Sequence, residues 1–394
     1  MQRLRTNART VGGGGLMTVA AIRPPVPLVD LAKQHATLHD EILSAWSRIL
    51  RAGEFASGRE VAAFEGEFAN ACEARHCVAV STGTDALVLA LRALGTRSRS
   101  RVIVPANTFV ASAEAVKLVG AVPVLVDCDP LTRTVSIEAV EREFRLRGAT
   151  GIIAVHLYGH PADMDALAEI ASAYGGWIIE DAAQAHLARY RGSRVGALAR
   201  IGCFSFYSSK NLGATGEGGA VTTNDAALAD VVRALRHHGQ RERNRHELVG
   251  CNARLTELTA AALRIKLRRL HAWTSERRRV AARYAAALEG AQGIRLPHTA
   301  DWAEPVWHLF AVEVDHRDSV RARLAEMGVA TGVHYPTPIH LQPAYTHLGH
   351  GVGTFPAAER SSARVLSVPM FPELRDEQVD QVAESLRAAT EDGW

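Results

Sequence analysis

The sequence predicts an α/β protein with a mainly parallel sheet, followed by a second and smaller α/β region. Between residues 76 and about 240, short apolar runs alternate with amphipathic segments. Strands that alternate with helices are typical of a parallel sheet covered on both faces. Beyond Asp225, long helical segments replace this alternation, and a shorter mixed region follows Val306. The chain has 394 residues and is 47% hydrophobic, which allows a large core and more than one domain.

The first elements follow from the lengths and periods of these runs. Short runs rich in Val and Ile predict strands, and apolar residues every three or four positions predict helices. The expected strands are 76–80, 102–105, 122–126, 152–157 and 177–180. The expected helices between them are 85–94, 112–118, 137–146 and 164–174. Sites in such sheets lie at the carboxyl ends of the strands, where Thr82, His156 and Asp181 fall.

The C-terminal half predicts helices and a second mixed region. The expected elements are helices over 225–237 and 255–288, a strand over 310–314, a helix over 319–327, Pro-rich loops over 335–345 and a helix over 376–388. We therefore predict four parts of the chain. These are a flexible extension over 1–25, a large cofactor-binding domain over 26–260, a connecting helix over 261–290 and a small domain over 291–394.

Charge and cysteine content argue against several other classes of protein. The 45 basic and 42 acidic residues give a net charge of +3, too balanced to indicate nucleic-acid binding. The basic stretch 264–279 is better interpreted as a solvated helix face than as a DNA-binding element. No stretch approaches the length of a membrane helix. Five scattered cysteines and the lack of an HExxH pattern predict no disulfide framework and no metal site, so we expect reduced thiols in the cytoplasm.

The first 21 residues are rich in Arg and then in Gly, and they lack the apolar core of a signal peptide. Met17 follows a run of four glycines that ends at Gly15. We hypothesise that translation starts at Met17. An intact mass of the native protein that includes residues 1–16 would contradict this.

Lys210 and Asp181 are the first candidates for chemistry. Lys210 follows the aromatic, β-prone segment 202–207 and enters a glycine-rich loop over 213–219, whereas Asp181 ends the strand-like segment 177–180. A lysine that forms an imine and an acid that pairs with a pyridinium nitrogen are the two groups that pyridoxal phosphate requires from a protein. This pair predicts pyridoxal phosphate as the cofactor.

Several nearby residues are suited to hold that cofactor. Gly83 and Thr84 open a helix directly after a strand, where free N–H groups and the helix dipole favour a phosphate, although a capped turn would look the same. The Ser205 hydroxyl could also reach the phosphate or bond only to backbone. Gln184 could donate to the phenolic oxygen of the cofactor, and Phe109 could stack on its ring or be a core aromatic.

Together these segments resemble the DegT/StrS family of pyridoxal-phosphate-dependent nucleotide-sugar aminotransferases. The similarity runs from about Pro27 to Glu377. The matching segments are 26–31 (VPLVDL), 82–87 (TGTDAL), 104–109 (VPANTF), 156–159 (HLYG), 180–186 (EDAAQAH), 204–207 (FSFY), 210–213 (KNLG), 218–221 (GGAV), 252–255 (NARL), 332–336 (GVHYP) and 340–343 (HLQP). So many matches in the same order make the resemblance specific.

The resemblance implies a type I aminotransferase fold and a homodimer with shared active sites. It implies that Asn252 reaches the phosphate of the partner's cofactor. Cys251 departs from the family pattern, in which an aromatic residue precedes that asparagine. Dehydratases of this family carry His at the lysine position, so Lys210 favours transamination. Lys210 would then form the imine and move the proton, while Asp181 keeps the ring an electron acceptor.

The substrate is less explicit in the sequence. The chain resembles members that aminate C3 of dTDP- or UDP-linked 3-keto-hexoses with L-glutamate as donor. Members acting at C4 are the close alternative, relatives acting on cyclitols are a further one, and a non-catalytic regulator with the same fold is an alternative of another class. The candidate substrate contacts are His334, Tyr335 and His340 in a Pro-rich loop, together with His156 and Tyr158.

Overall fold

The computed structural model describes residues 24–391. Residues 1–23, which hold Met17 and most of the predicted extension, lie outside the described residues, as do residues 392–394. Over the described range the chain forms a large sheet flanked by helices and a smaller sheet near its C-terminus. This is the α/β architecture that the sequence predicts.

The helices of the described range precede, separate and follow the strands. In chain order they are α1 (Leu31–Ala36), α2 (His39–Ala52), α3 (Arg59–Ala71), α4 (Gly83–Ala93), α5 (Ala111–Leu118), α6 (Ile137–Arg147), α7 (Met164–Ala173), α8 (Ala226–Arg236), α9 (Glu257–Leu267), α10 (Leu270–Ala287), α11 (Arg317–Glu326), α12 (Pro356–Arg364) and α13 (Asp376–Glu391). Short 3-10 turns lie at Leu157–Gly159, Ile339–Leu341 and Pro343–Leu348.

The strands of the described range form a large sheet, a small sheet and minor pairings. In chain order they are β1 (His76–Val80), β2 (Arg101–Pro105), β3 (Val122–Val126), β4 (Gly151–Val155), β5 (Trp177–Asp181), β6 (Arg189–Tyr190), β7 (Ser193–Arg194), β8 (Ile201–Ser205), β9 (Gly219–Thr223), β10 (Gln240–Glu242), β11 (Arg245–His246), β12 (Ile294–Arg295), β13 (Ala303–Glu304), β14 (Phe310–Val314) and β15 (Val365–Val368).

The large sheet has seven strands in the order β1-β9-β8-β5-β4-β2-β3. Only β9 runs against its neighbours, since it pairs antiparallel with both β1 and β8. The other six strands therefore end at the same edge. Gly219, the first residue of β9, lies between Val80 and Ser205 at that edge. The topology thus brings six strand ends and one strand start together.

Apolar side chains cover both faces of the large sheet, as the alternating pattern requires. One cluster centres on Phe64, Phe68 and Phe206, which pack with ring centroids 5.1 to 5.6 Å apart. A separate cluster surrounds the small sheet β12-β14-β15 and includes Tyr284 of α10 and Leu386 of α13. The small sheet therefore has a hydrophobic core of its own, as expected for a second α/β region.

The predicted single helix over 255–288 is wrong, because the structure divides it into α9 and α10 at Arg268 and Arg269. The reason is that the two halves pack in different cores. Ala261 and Ile265 of α9 pack beside α2, whereas Val280 and Tyr284 of α10 pack against the small sheet. The apolar rhythm continues across the junction, so periodicity alone could not locate the turn.

The predicted strand over 152–157 also ends early, at Val155. Tyr158 has a φ of 58°, which turns the chain into the Leu157–Gly159 segment.

The domain boundaries that we predict stay a prediction. Near the first of them, Val26 N–H donates to Gly328 O and Ala330 N–H donates to Val26 O, so Val26 is attached to the C-terminal region.

Candidate active site

The common edge of the large sheet gathers most of the residues that the sequence singled out. Thr82 and Gly83 follow β1, Phe109 follows β2, Asp181 ends β5 and Ser205 ends β8. Because these strands run in the same direction, residues far apart in the sequence meet there. The structure thus places the two predicted catalytic groups in one region.

Lys210 lies in the loop between β8 and β9. Its backbone N–H donates to Tyr207 O at 2.8 Å, and Ala214 N–H closes the loop on Phe206 O at 2.7 Å. Burial lowers the pKa of Lys210 to about 8, although the nearby Asp181 carboxylate opposes this shift. A lysine with such a pKa provides a neutral, nucleophilic amine at a far lower pH than a surface lysine does.

Asp181 is buried and held by two hydrogen bonds. Ser112 Oγ donates to Asp181 Oδ2 at 2.8 Å, and Ala183 N–H donates to Oδ1 at 3.2 Å. Burial raises the pKa of Asp181, whereas these two donors and the positive charge of Lys210 act to lower it. The carboxylate is therefore fixed in orientation and keeps lone pairs free for a cationic partner.

The N-terminus of α4 forms a narrow cradle with Ser205. A Cβ atom on Gly83 would lie 2.6 Å from Ser205 Cβ, and one on Gly219 would lie 2.2 Å from Thr82 O. Only glycine fits at these two positions. Thr82 caps the helix by accepting from Asp85 N–H at 2.9 Å, and Thr84 occupies its first turn, partly exposed. The cradle has the form of a phosphate site.

Phe109, Tyr335 and Gln184 line the region beside Asp181. Phe109 is 51% exposed, and its ring centroid lies 5.5 Å from that of Tyr335. Gln184 Nε2 donates to Tyr335 Oη at 3.0 Å, while its Oε1 accepts from Tyr158 N–H at 2.6 Å. Gln184 is thus held between two tyrosines, and its amide has a second N–H that neither of these bonds uses.

The 332–336 segment brings His334 and Tyr335 to the same region. His334 Nδ1 lies 2.9 Å from Ser367 Oγ, and Tyr158 Oη donates to His334 O. Burial, and then the charge of Lys210, lowers the pKa of His334 to about 4, so this ring is neutral near pH 7. Both side chains are placed where a substrate contact is feasible.

His156 and His340 do not suit the substrate contacts that we expected of them, because both are fully buried. His156 Nδ1 accepts from Ala162 N–H, so its Nε2 carries the hydrogen and donates to Glu180 Oε2 at 3.2 Å. His340 Nε2 lies 3.0 Å from Glu359 Oε1. These contacts fit internal roles. Position in a motif or a Pro-rich loop did not reveal that the rings point inwards.

Asn252 is exposed beside the end of β1. Its Oδ1 accepts from Arg254 Nε at 2.9 Å, and the neighbouring Ala253 O accepts from Ser81 N–H at 3.1 Å. This segment therefore runs along the strand end that leads into the cradle. The expected role of Asn252 at the partner's cofactor stays a prediction.

With this geometry in view, comparison with known proteins identifies the family. The sequence pattern of the DegT/DnrJ/EryC1/StrS aminotransferase family matches residues 36–387. The chain belongs to this family. This confirms three predictions from the sequence, namely the family, the type I aminotransferase fold and the assignment as an aminotransferase. Pyridoxal phosphate is the corresponding cofactor.

Two relatives match this chain over nearly their whole length. The chain is 48% identical to the erythromycin biosynthesis sensory transduction protein EryC1 of Saccharopolyspora erythraea, with 92% of this chain and 99% of the relative covered. It is 46% identical to the dTDP-3-amino-3,4,6-trideoxy-alpha-D-glucose transaminase of Streptomyces venezuelae, with 94% and 98% covered.

A solved structure agrees over nearly the whole chain. It is the crystal structure of S. venezuelae DesV in complex with a ketimine intermediate, at a TM-score of 0.92 and 45% identity. The match covers 94% of this chain and 100% of the DesV chain. The fold of the described residues is thus that of an aminotransferase.

The residues of this aminotransferase fit the cofactor on structural grounds. The Gly83 cradle excludes a Cβ and faces Ser205, Asp181 is fixed by Ser112, and the Lys210 amine has a lowered pKa. Phe109 presents an aromatic ring that is half exposed. A phosphate group, a ring nitrogen, an aldehyde carbon and a ring face would each meet a suitable partner.

Sequence reasoning missed several residues that shape the aminotransferase site. Ser112 was identified only as the start of a helix, Asn211 appeared only within the matching segment 210–213 with no role given to it, and His308 was not singled out. Glu180 is fully buried and accepts from Gly196, Leu198 and Ala199 N–H, which fixes the acid beside Asp181. A carboxylate in an apolar strand was the available signal for Glu180. No comparable signal marks Ser112.

The described residues contain neither a membrane-spanning helix nor a cluster of metal ligands. Within residues 24–391, no helix has the length and apolar character needed to cross a membrane. Across the same range, the side chains of His, Cys, Asp and Glu form no group of three or more that could bind a metal ion.

Proposed function

We propose that this aminotransferase transfers the amino group of L-glutamate to C3 of a dTDP- or UDP-linked 3-keto-hexose, in the synthesis of a deoxyamino sugar. The observation that carries the proposal is the Lys210 amine with its lowered pKa beside Asp181, in a chain closely similar to a dTDP-sugar 3-transaminase. The product would serve a glycosylated natural product or a surface polysaccharide.

The roles of the chain's own residues follow from their chemistry. Pyridoxal phosphate, when bound, supplies an aromatic electron sink for the pair released as the substrate C–H bond breaks. The Asp181 carboxylate would favour a proton on the ring nitrogen, and Ser112 keeps that carboxylate oriented. The N–H groups at the start of α4, near Gly83, and the Ser205 hydroxyl would hold the phosphate. The second amide hydrogen of Gln184 would donate to the phenolic oxygen.

Lys210 carries the proton. With the cofactor held by Asp181, Gly83 and Ser205, the neutral Lys210 Nζ would take the proton from the α-carbon of the amino substrate and return it later in the same half-reaction. For the keto-sugar the same transfer runs in reverse. Because the amino group is stored between two half-reactions, the kinetics should be ping-pong. Tyr335 and His334 are the candidate sugar contacts, since they lie beside Phe109 and within range of the Lys210 charge.

Two alternatives would use the same fold. Transamination at C4 of a keto-sugar, or of a cyclitol, would use the same lysine and acid, so it differs only in the substrate pocket. A regulatory role is favoured by the name of the EryC1 relative. A regulator with this fold would bind the cofactor without converting it when glutamate is added.

One titration separates these functions. L-Glutamate added to the cofactor-loaded protein should replace the visible absorbance of the lysine-bound cofactor with that of the pyridoxamine form and release 2-oxoglutarate. A panel of 3-keto and 4-keto nucleotide sugars should then restore the first spectrum only with the true acceptor. Lys210→Ala is the control and should show neither change. Full turnover by Lys210→Ala would refute the assigned role, and an unchanged wild-type spectrum would favour the regulator.

We further propose a homodimer in which each subunit completes the other's site. Two exposed aromatic side chains at the common edge of the large sheet support an interface there, since Tyr207 is 49% exposed and Phe109 is 51% exposed. Exposed Asn252 lies beside the cradle, in a position to serve a second copy.

We also propose a cytoplasmic location, which the five free cysteines support.

A further inference from the structure

The residue that follows Lys210 makes an unusual pair of side-chain contacts. Asn211 is 3% exposed, and its Nδ2 donates to Val306 O at 2.9 Å. A backbone carbonyl can only accept, so this bond fixes the orientation of the Asn211 amide. The Asn211 Oδ1 atom must then face His308, whose Nδ1 lies 3.2 Å away.

The amide orientation determines the tautomer of His308. Because Oδ1 can only accept, Nδ1 of His308 must carry the hydrogen and donate it. Burial lowers the pKa of His308 well below its usual value, and the nearby positive charge of Lys210 and Arg277 lowers it further, as do His334 and His186. The His308 ring is therefore neutral, so one hydrogen and one lone pair occupy its two nitrogens.

The segment that carries His308 is attached to the rest of the site. Val306 N–H donates to Gly159 O at 3.1 Å, and His308 N–H donates to Tyr158 O at 2.9 Å. The Arg277 guanidinium donates to Trp307 O at 3.1 Å from the other side. Tyr158 in turn donates to the side chain of Gln184. The 306–308 segment therefore joins the Lys210 loop to the turn that orients Gln184.

We propose that the hydrogen bond between His308 and Asn211 positions the Lys210 amine for proton transfer. The backbone of Lys210 is held on one side by Tyr207 O, and the Asn211 side chain anchors the other side to the 306–308 segment. Asn211 and His308 are positioning residues, because they act on the reaction only through Lys210. The inference rests on the proposed role of Lys210 as the proton carrier.

A pair of substitutions at His308 separates hydrogen bonding from packing. His308→Ala removes the donor, whereas His308→Asn keeps an amide N–H close to the position of Nδ1. We expect His308→Ala to lower kcat about tenfold, as the loss of one oriented hydrogen bond would, with the KM for the keto-sugar changed less than about twofold. His308→Asn should recover to within about threefold of the wild type. Asn211→Ala removes the acceptor and also the bond to Val306 O, so its kcat should fall at least as far as that of His308→Ala.

A second measurement uses the protein without cofactor and needs no turnover. Trace labelling of lysine amines with acetic anhydride, read by peptide mass at each pH, reports the titration of individual lysines. Lys210 should titrate near pH 8 in the wild type. In His308→Ala its midpoint should rise, since release of the loop exposes the amine to water, whereas His308→Asn should keep a midpoint close to that of the wild type. The labelling curve of the exposed Lys117 should not change in any variant.

The two measurements have distinguishable failures. Equal losses in His308→Ala and His308→Asn would overturn the hydrogen-bond argument, and so would unchanged kcat and unchanged Lys210 titration in both. If His308→Ala does not fold, Asn211→Ala takes its place as the variant that lacks the hydrogen bond. Its kcat and its Lys210 titration midpoint are then compared with those of His308→Asn. A wild-type protein that does not react with glutamate would refute the proposed function, yet the labelling midpoints would still decide whether this pair positions Lys210.

Discussion

At the scale of single residues, Lys210 and Asp181 act on each other's protonation. Burial moves the pKa of Lys210 down and that of Asp181 up, and in each case the charge of the other group opposes the shift. The lysine can therefore lose its proton near pH 8, while the Ser112 and Ala183 donors oppose the rise in the pKa of Asp181 that burial causes. This division suits a proton carrier next to a fixed anion.

Replacing Asp181 with Asn should leave the cofactor bound but lower kcat by about 100-fold or more, the scale of losing one preorganised electrostatic contact. The cause is that a neutral amide cannot hold a proton on the ring nitrogen. Steady-state kinetics and the visible spectrum measure the two effects separately. An Asp181→Asn enzyme with wild-type kcat would remove Asp181 from this role.

The protonation of Lys210 predicts a pH dependence. Capture of pyridoxal phosphate by the protein without cofactor should accelerate as the pH rises through about 8 and level off above it, because only the neutral amine attacks. In Asp181→Asn the midpoint should fall, since the carboxylate that favours the charged lysine is gone. Stopped-flow absorbance over a range of pH tests both statements. A midpoint near that of an ordinary lysine would contradict the first.

Ser112→Ala removes the donor to Asp181 Oδ2 without changing the acid itself. We expect kcat to fall about tenfold, since one hydrogen bond to a charged group is lost. Ser112→Thr, which keeps the hydroxyl, is the matched control and should retain more activity than Ser112→Ala. Equal kcat in Ser112→Ala and the wild type would show that the donor does not matter for turnover.

At the scale of elements, the approach of α4 to β8 decides whether a phosphate fits. Gly83→Ala would place a Cβ 2.6 Å from Ser205 Cβ, so the helix start or Ser205 must move. We expect the affinity for pyridoxal phosphate to weaken by about tenfold or more, as for a loss of at least 1.4 kcal/mol. Equilibrium titration of the protein without cofactor measures this.

The control for this prediction is Gly66→Ala. Gly66 is exposed in the middle of α3, and a Cβ there would meet nothing within 4 Å. Alanine favours a helix over glycine by about 0.5–1 kcal/mol, so thermal stability should rise slightly and cofactor affinity should not change. Equal affinities of Gly83→Ala and the wild type would contradict the cradle.

At the scale of the whole molecule, the proposed dimer predicts complementation between two inactive variants. Lys210→Ala and Asn252→Ala are each expected to be impaired as homodimers. If Asn252 serves the partner's site, each mixed dimer regains one intact site. After unfolding and refolding an equal mixture, activity should reach about a quarter of the wild type, because half of the dimers are mixed.

The alternative makes the opposite prediction. If Asn252 acts within its own subunit, no mixed dimer contains an intact site and mixing adds nothing to the activity. Lys210→Ala mixed with Asp181→Asn is the matched control. Both of those residues lie in one subunit's site, so their mixture should not recover. Sedimentation of the wild type independently reports whether a dimer forms.

Much of the fold was predictable, because local periodicity reports which faces are buried. The strands 76–80, 122–126 and 310–314 have the predicted bounds. The sequence did not reveal that 255–288 divides into two helices, since each half has a suitable apolar face and only their different packing partners force the turn. Helices α1–α3 were not predicted.

The sequence by itself determined the α/β class, the family and the pairing of Lys210 with Asp181, because these depend on residue types in a fixed order along the chain. Only the tertiary structure decided that Ser112 holds Asp181, that His156 and His340 point inwards, and that His308 anchors the loop of Lys210 through Asn211. Side-chain direction and contacts between distant segments arise from packing, which no local pattern encodes.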